Sequence, residues 1–135
     1  MDLKQLSVKE EPVAMEVMHP GTQEPLTDEK TGETMKIHLL GRDSQAYKTK
    51  MRERQNKRMQ AGFKKGKNRK VSIEEVDSDT LEVMVAVTTD WEGVIWEGKP
   101  LEFNAENARF LYKNLPWLVD QVDEFIHERE NFFTS

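Results

Sequence analysis

The residues best suited to catalysis or metal binding are three histidines, His19, His38 and His127. His19 and His38 fall on two segments that read as the arms of one hairpin. No third ligand of suitable spacing accompanies them, so no metal site is expected. Cysteine is absent, which removes thiolate nucleophiles, thiolate metal sites and disulfides and fits a reducing compartment. The five serines, Ser7, Ser44, Ser72, Ser78 and Ser135, lie in no nucleophile elbow, and Ser44 and Ser72 are placed to cap helices. Most carboxylates stand in acidic runs such as Glu74, Glu75, Asp77 and Asp79, the pattern of a solvated face. The expectation is a protein that is not an enzyme, with no catalytic set, metal or cofactor.

Two basic features point to phosphate chemistry. Gly62-Phe63-Lys64-Lys65-Gly66-Lys67 has the character of a phosphate-binding loop, but it has one residue too few between its glycines, Asn68 where Ser or Thr belongs, and no preceding strand. Backbone N–H groups therefore have no frame to form a cradle. The longer stretch from Lys48 to Lys70 carries Lys48, Lys50, Arg52, Arg54, Lys57 and Arg58 on one segment. Such a stripe can displace counterions from nucleic acid, yet only Tyr47 and Phe63 flank it as stacking residues. The rest of the chain is acidic and repels a phosphate backbone, so a solvated helix and linker is the first expectation, docking on an acidic protein surface, this chain's own included, the second, and nucleic acid the last.

Charge divides the chain in three. Residues 1–41 hold four lysines against eight acids, 42–70 hold twelve Lys or Arg against two acids, and 71–135 hold four against fifteen, a sum of −5. We take 1–41 as a leader and β-hairpin, 42–70 as a basic helix and linker, and 71–135 as a C-terminal helical domain. With 36% apolar and 33% charged residues, the chain can bury one modest core. No run approaches the roughly 18 apolar residues of a membrane span, and none near Met1 reads as a signal peptide.

The elements follow from local pattern. Residues 1–12 read as a disordered or adaptable leader. Val13–Met18 and Met35–Leu40 read as strands of a long-looped antiparallel hairpin, with turn residues between them. Asp43 or Ser44 is placed to cap a helix that runs to about Gln60 and ends at Gly62, followed by a Gly- and Lys-rich link. Ser72 and Glu75 form a capping box for a helix to about Thr88, with a strand over Val83–Thr89 as the alternative. Asn104 caps a short helix that closes at Lys113 and Asn114, where Asn suits a left-handed cap. Pro116 opens the last helix, whose apolar positions Leu118, Val122, Phe125, Ile126 and Phe132 or Phe133 recur at steps of three and four. The fold class is α+β, mainly α.

All three tryptophans and most of the phenylalanines lie between Trp91 and Phe133, so the core is expected there. The positions chosen for core or groove are Trp91, Trp96, Leu111, Trp117, Phe125 and Phe132. Methionines spread over several elements, among them Met15, Met18, Met51, Met59 and Met84, offer material for an adaptable apolar surface.

The ordered set Trp91, Gly93, Gly98, Pro100, Asn104, Asn107, Pro116, Trp117, Gln121, Val122, Asn131 and Phe132 resembles the small tail assembly chaperones of long-tailed bacteriophages. In that family a Trp-x-Gly turn follows a helix, a polar hairpin leads to a capped helix, and a Pro-Trp pair opens a terminal helix ending near Asn-Phe. The resemblance covers residues 80–133; upstream, only the general character of Leu39–Ser44, Tyr47 and the basic helix is shared. It implies a chaperone that binds the tape measure protein, helps recruit tail tube protein, self-associates or binds repeatedly along a long client, and works in the host cell cytoplasm. The alternative is a structural minor tail protein retained in the virion. Under both, Lys48 to Arg58 is an auxiliary docking surface.

Overall fold

The computed structural model describes residues 2–65 and 73–133, without the side chains of 61–65 and 73–77. Val13, Met15 and Val17 alternate with Ala14 and Glu16, a period of two that sends one side of the chain into an apolar layer. This stretch forms β1 (Val13–Glu16), antiparallel to β2 (Lys36–Leu39), with Met15 opposite Ile37. The expected hairpin is present. Its long connection is pinned by Leu26, whose N–H donates to Val17 O at 2.9 Å and whose carbonyl accepts from Met35 N at 2.8 Å. In the leader, Leu3–Leu6 forms a single 3-10 turn capped by Asp2, so part of it has local order.

A third strand, β3 (Thr88–Glu92), pairs antiparallel with the other side of β2 and sets Trp91 opposite Ile37. The sequence reading puts a turn after Thr88; the chain instead passes from helix to strand between Val87 and Thr88. The hydrogen bonds that hold β3 extended come from β2, distant in sequence, so local pattern carries no sign of them. A small hairpin follows, β4 (Ile95–Trp96) with β5 (Lys99–Pro100). Its two-residue turn is Glu97-Gly98, both left-handed at φ 51° and 79°, the type I′ geometry that matches strand twist.

Helix α1 (Gln45–Lys65) starts where Ser44 Oγ accepts from Tyr47 N at 3.2 Å and donates to Gly41 O at 2.6 Å. Glu10 Oε1 takes Gln45 N at 2.6 Å and ties the leader to the same helix end. Gly62 does not end this helix: glycine costs about 1 kcal/mol there relative to alanine but keeps its N–H, so the ladder continues. The rest of the expected link and the Ser72 cap lie outside the described residues. Helix α2 (Ile73–Val87) packs against α1, α3 and α4. Val83, Met84, Val85 and Val87 are all buried, so packing on several sides decides for helix up to Val87, while Thr88 and Thr89, the end of the strand alternative, are in β3.

Helix α3 (Ala105–Asn114) is capped as expected, with Asn104 Oδ1 accepting from Asn107 N at 2.7 Å. At its other end Asn114 stays helical and bonds Phe110 O through Nδ2 at 2.7 Å; no left-handed cap forms there. Helix α4 (Pro116–His127) opens on Pro116. It stops at His127, short of the expected Phe132, and a 3-10 turn at Arg129–Asn131 reverses the chain. Three tertiary contacts favour that reversal. Asn131 Nδ2 bonds Phe125 O at 3.0 Å, Arg129 bonds both oxygens of Asp43 at 2.8 and 3.0 Å, and the Phe132 ring lies on Gly41.

One apolar core joins Met15, Val17, Ile37 and Leu39 of the hairpin region to Val87, Leu111, Leu118, Val122 and Ile126 of the C-terminal half. It crosses the boundaries that charge draws at residues 41 and 70. Within it, Tyr112 Oη and Thr88 Oγ1 bond each other at 2.7 Å, and Thr88 Oγ1 also donates to Met84 O. Burial pushes the Tyr112 phenol up to about 12, against the lowering effect of the Thr88 bond. The fold is α+β, mainly α.

Candidate functional site

The aromatic positions divide into two kinds. Trp91 and Leu111 are buried. Trp91 stacks edge-on against Phe103 at 5.1 Å, and its Nε1 donates to Leu101 O at 2.7 Å, so both the ring and its polar atom are satisfied inside. Trp96, Trp117, Phe125 and Phe132 are half-buried against the same core. Phe125 and Phe132 meet edge-on at 5.5 Å. Trp96 meets Phe110 edge-on at 5.1 Å, and Phe110 and Ile95 beside Trp96 are 42% and 37% exposed. Trp96 and Phe110 thus form an apolar pair at the surface. Phe110 was not among the residues singled out, although its signal is legible: Ala108, Leu111 and Tyr112 make the buried face of α3, and Phe110 lies off that stripe.

The basic set also divides. Arg54 Nε lies 2.6 Å from Asp79 Oδ1 and Arg58 bonds the same carboxylate, so these two face α2. Lys50 sits 3.2 Å from Glu53 on its own helix. Lys48, Arg52 and Lys57 are exposed. Two of the six residues of the expected docking surface therefore touch this chain's own acidic helix, one pairs within α1, and three remain exposed. The methionines do not form one surface: Met15 and Met84 are in the core, Met51 is partly covered, and Met59 is exposed on α1.

The histidines lie apart in function. His19 Nδ1 accepts from Gly21 N at 3.0 Å and Thr22 N at 3.2 Å, which closes its own turn. His38 faces Glu92 across the β2–β3 ladder at 3.1 Å. His127 joins α4 to α1 through Tyr47 Oη at 3.1 Å and contacts Asp123 within α4. Burial and the Asp123 charge raise the Tyr47 phenol above its ordinary value, so it stays protonated at neutral pH and is no nucleophile there. Among the described residues no three His, Asp or Glu side chains gather as a metal set, and no helix is long and apolar enough to cross a membrane.

A further feature was not legible in sequence: an open groove of about 560 Å³ between β1 and α4. Its apolar lining is Met15, Met18 and Phe125; its charged lining is Glu16, Glu124 and Glu128, with no lysine or arginine. β1 is an edge strand of the three-stranded sheet. Val17 N donates to Met35 O on the β2 side, so the alternating groups of Ala14, Glu16 and Met18 face outward. At Met18 the outward pair is taken by Gln121, which accepts from Met18 N at 3.0 Å and donates to Met18 O at 2.7 Å. Gln121 thus imitates one rung of a neighbouring strand and closes the groove at that end. Along Ala14 and Glu16 no further strand pairs with this edge among the described residues. Glu10 of the leader is held at the start of α1.

No family model matches the chain, and neither a curated protein nor a solved structure does.

Proposed function

We propose that this chain is a tail assembly chaperone of long-tailed bacteriophages, acting without catalysis in the host cytoplasm on the tape measure protein and on delivery of tail tube protein. The observation that carries the reading is the surface pair of Trp96 and Phe110, set on the segment whose residue order resembles that family. Its element order, a helix, a Trp-bearing segment ending at Gly93, a polar hairpin, a capped helix and a Pro-Trp helix, is the order the resemblance implies. A half-buried aromatic pair on a rigid support suits the apolar face of a helical client, because the rings are already held and little side-chain entropy is lost on binding. Lys48, Arg52 and Lys57 supply an outward basic face for acidic stretches of that client, and repeated copies along a long client follow from so small a patch.

Coexpression with the tape measure protein from the same phage tests this. The client is expected to be more soluble and to co-purify with the chain, and Phe110→Ser is expected to weaken co-purification with little change in thermal stability. Unchanged client solubility together with no co-purification overturns the reading. A second reading, a structural tail component retained in the virion, is favoured by the open β1 edge, since such edges pair with neighbouring subunits. Mass spectrometry of purified virions separates the two: fixed stoichiometry in the particle supports the structural role, and absence supports the chaperone.

A further inference from the structure

We infer that the groove between β1 and α4 binds an extended, lysine- or arginine-bearing segment of another protein, which adds as a fourth strand to the sheet. Three observations converge on it. The backbone of Ala14 and Glu16 presents N–H and C=O groups outward along an edge strand, the hydrogen-bonding half of strand addition. The groove floor of Met15, Met18 and Phe125 accepts apolar side chains, and methionine adapts to varied shapes. The rim of Glu16, Glu124 and Glu128 is wholly acidic, so the incoming strand is selected for positive charge.

Gln121 gives the site a direction. It occupies the outward groups of Met18, so the added strand pairs with the Val13–Glu16 stretch and stops there. With four residues at about 3.3 Å each, that stretch matches a short segment and not a long ladder. A second copy is a poor occupant, because its β1 edge carries Glu16 and no lysine or arginine to pair with the acidic rim. The same charge argument excludes an acidic segment. The inference does not depend on the chaperone reading, since the groove shares no residue with the Trp96–Phe110 pair, although it uses the same β1 edge as the structural-component reading.

Fluorescence anisotropy on the full chain tests it, with a fluorescein-labelled ten-residue peptide of alternating lysine and valine as the probe. The controls are an alternating glutamate and valine peptide and the lysine peptide N-methylated along its backbone. Binding of the lysine peptide is expected, with both controls weaker by about tenfold or more, since they lose charge pairing or main-chain hydrogen bonds. Glu124→Lys with Glu128→Lys, exposed positions in α4 and just after its end, is expected to weaken binding by about tenfold at low salt. Ala14→Pro removes an outward N–H and leaves the β1–β2 ladder bonds in place, and it is expected to lower affinity to a similar extent. The inference is overturned if the N-methylated peptide binds as well as its parent, or if reversing the two glutamates changes nothing. It is equally overturned if sedimentation shows a self-associated chain that Ala14→Pro dissolves, because the occupant is then a second copy. Failure here leaves the coexpression result untouched, and the reverse holds.

Discussion

Helix α4 places Leu118, Val122 and Ile126 at 2%, 0% and 0% exposure in the core, whereas α1 meets the body through Tyr47, Met51 and two arginines around Asp79. The first is held by removal of apolar surface from water, which salt barely touches. Among the described residues the second relies in good part on charge, which salt screens over about 10 Å at 0.1 M. The contrast teaches that a basic block of this kind need not be idle surface: Arg54 and Arg58 fasten the helix, and Lys48, Arg52 and Lys57 are left for a partner. It also separates what supports the aromatic patch and the groove, both built on the buried body, from the arm that adds charge beside them.

The contrast can be broken most sharply at Ile126. Ile126→Ala is expected to cost about 2–5 kcal/mol in chemical denaturation, equally at low and high salt; a cost well below 1 kcal/mol would mean that α4 is not anchored by burial. Next comes the alkaline limb. The Tyr112 phenol is raised to about 12 in the fold, so the unfolded chain loses its proton first as pH rises. Its contribution is full below pH 10 and disappears between there and about 12, an expected loss of about 2–3 kcal/mol. Tyr112→Phe should flatten that limb.

Gly41→Ala would place a Cβ 2.9 to 3.1 Å from three Phe132 ring atoms and is expected to cost about 1–3 kcal/mol. Asp79→Asn leaves Arg54 and Arg58 facing one another; it is expected to cost about 1–2 kcal/mol at low salt and less at high salt. A salt-independent cost there would erase the distinction between the two helices. The smallest effect belongs to Asp43, whose carboxyl the Arg129 hydrogen bonds hold below the ordinary 3.8. Its stabilisation is present above that value and fades as pH falls through the lower folded value. The pair is solvent-screened, so Arg129→Gln should show only a slight loss of thermal stability at neutral pH that vanishes in acid.

Local rules carried far where the cause was local. Asn104 and Ser44 cap helices, Pro116 opens one, and the alternating apolar residues of Val13–Val17 form a strand, since each depends on neighbours within a few residues. The same rules stopped where the partner was remote. β3 exists because β2 pairs with it, and α4 ends early because Gly41 and Asp43 receive the chain that follows it.

The candidate surfaces show the same division. Charge sign along the chain, the concentration of tryptophan in the last third and the absence of cysteine are properties of composition, and the amino-acid order settles them alone. Which arginines turn inward, which aromatic rings stay outside, and that an acidic helix face comes to flank a free strand edge were decided only by the packing. Those features join residues as far apart as Met18 and Gln121, and no periodicity within one segment encodes the distance between two segments.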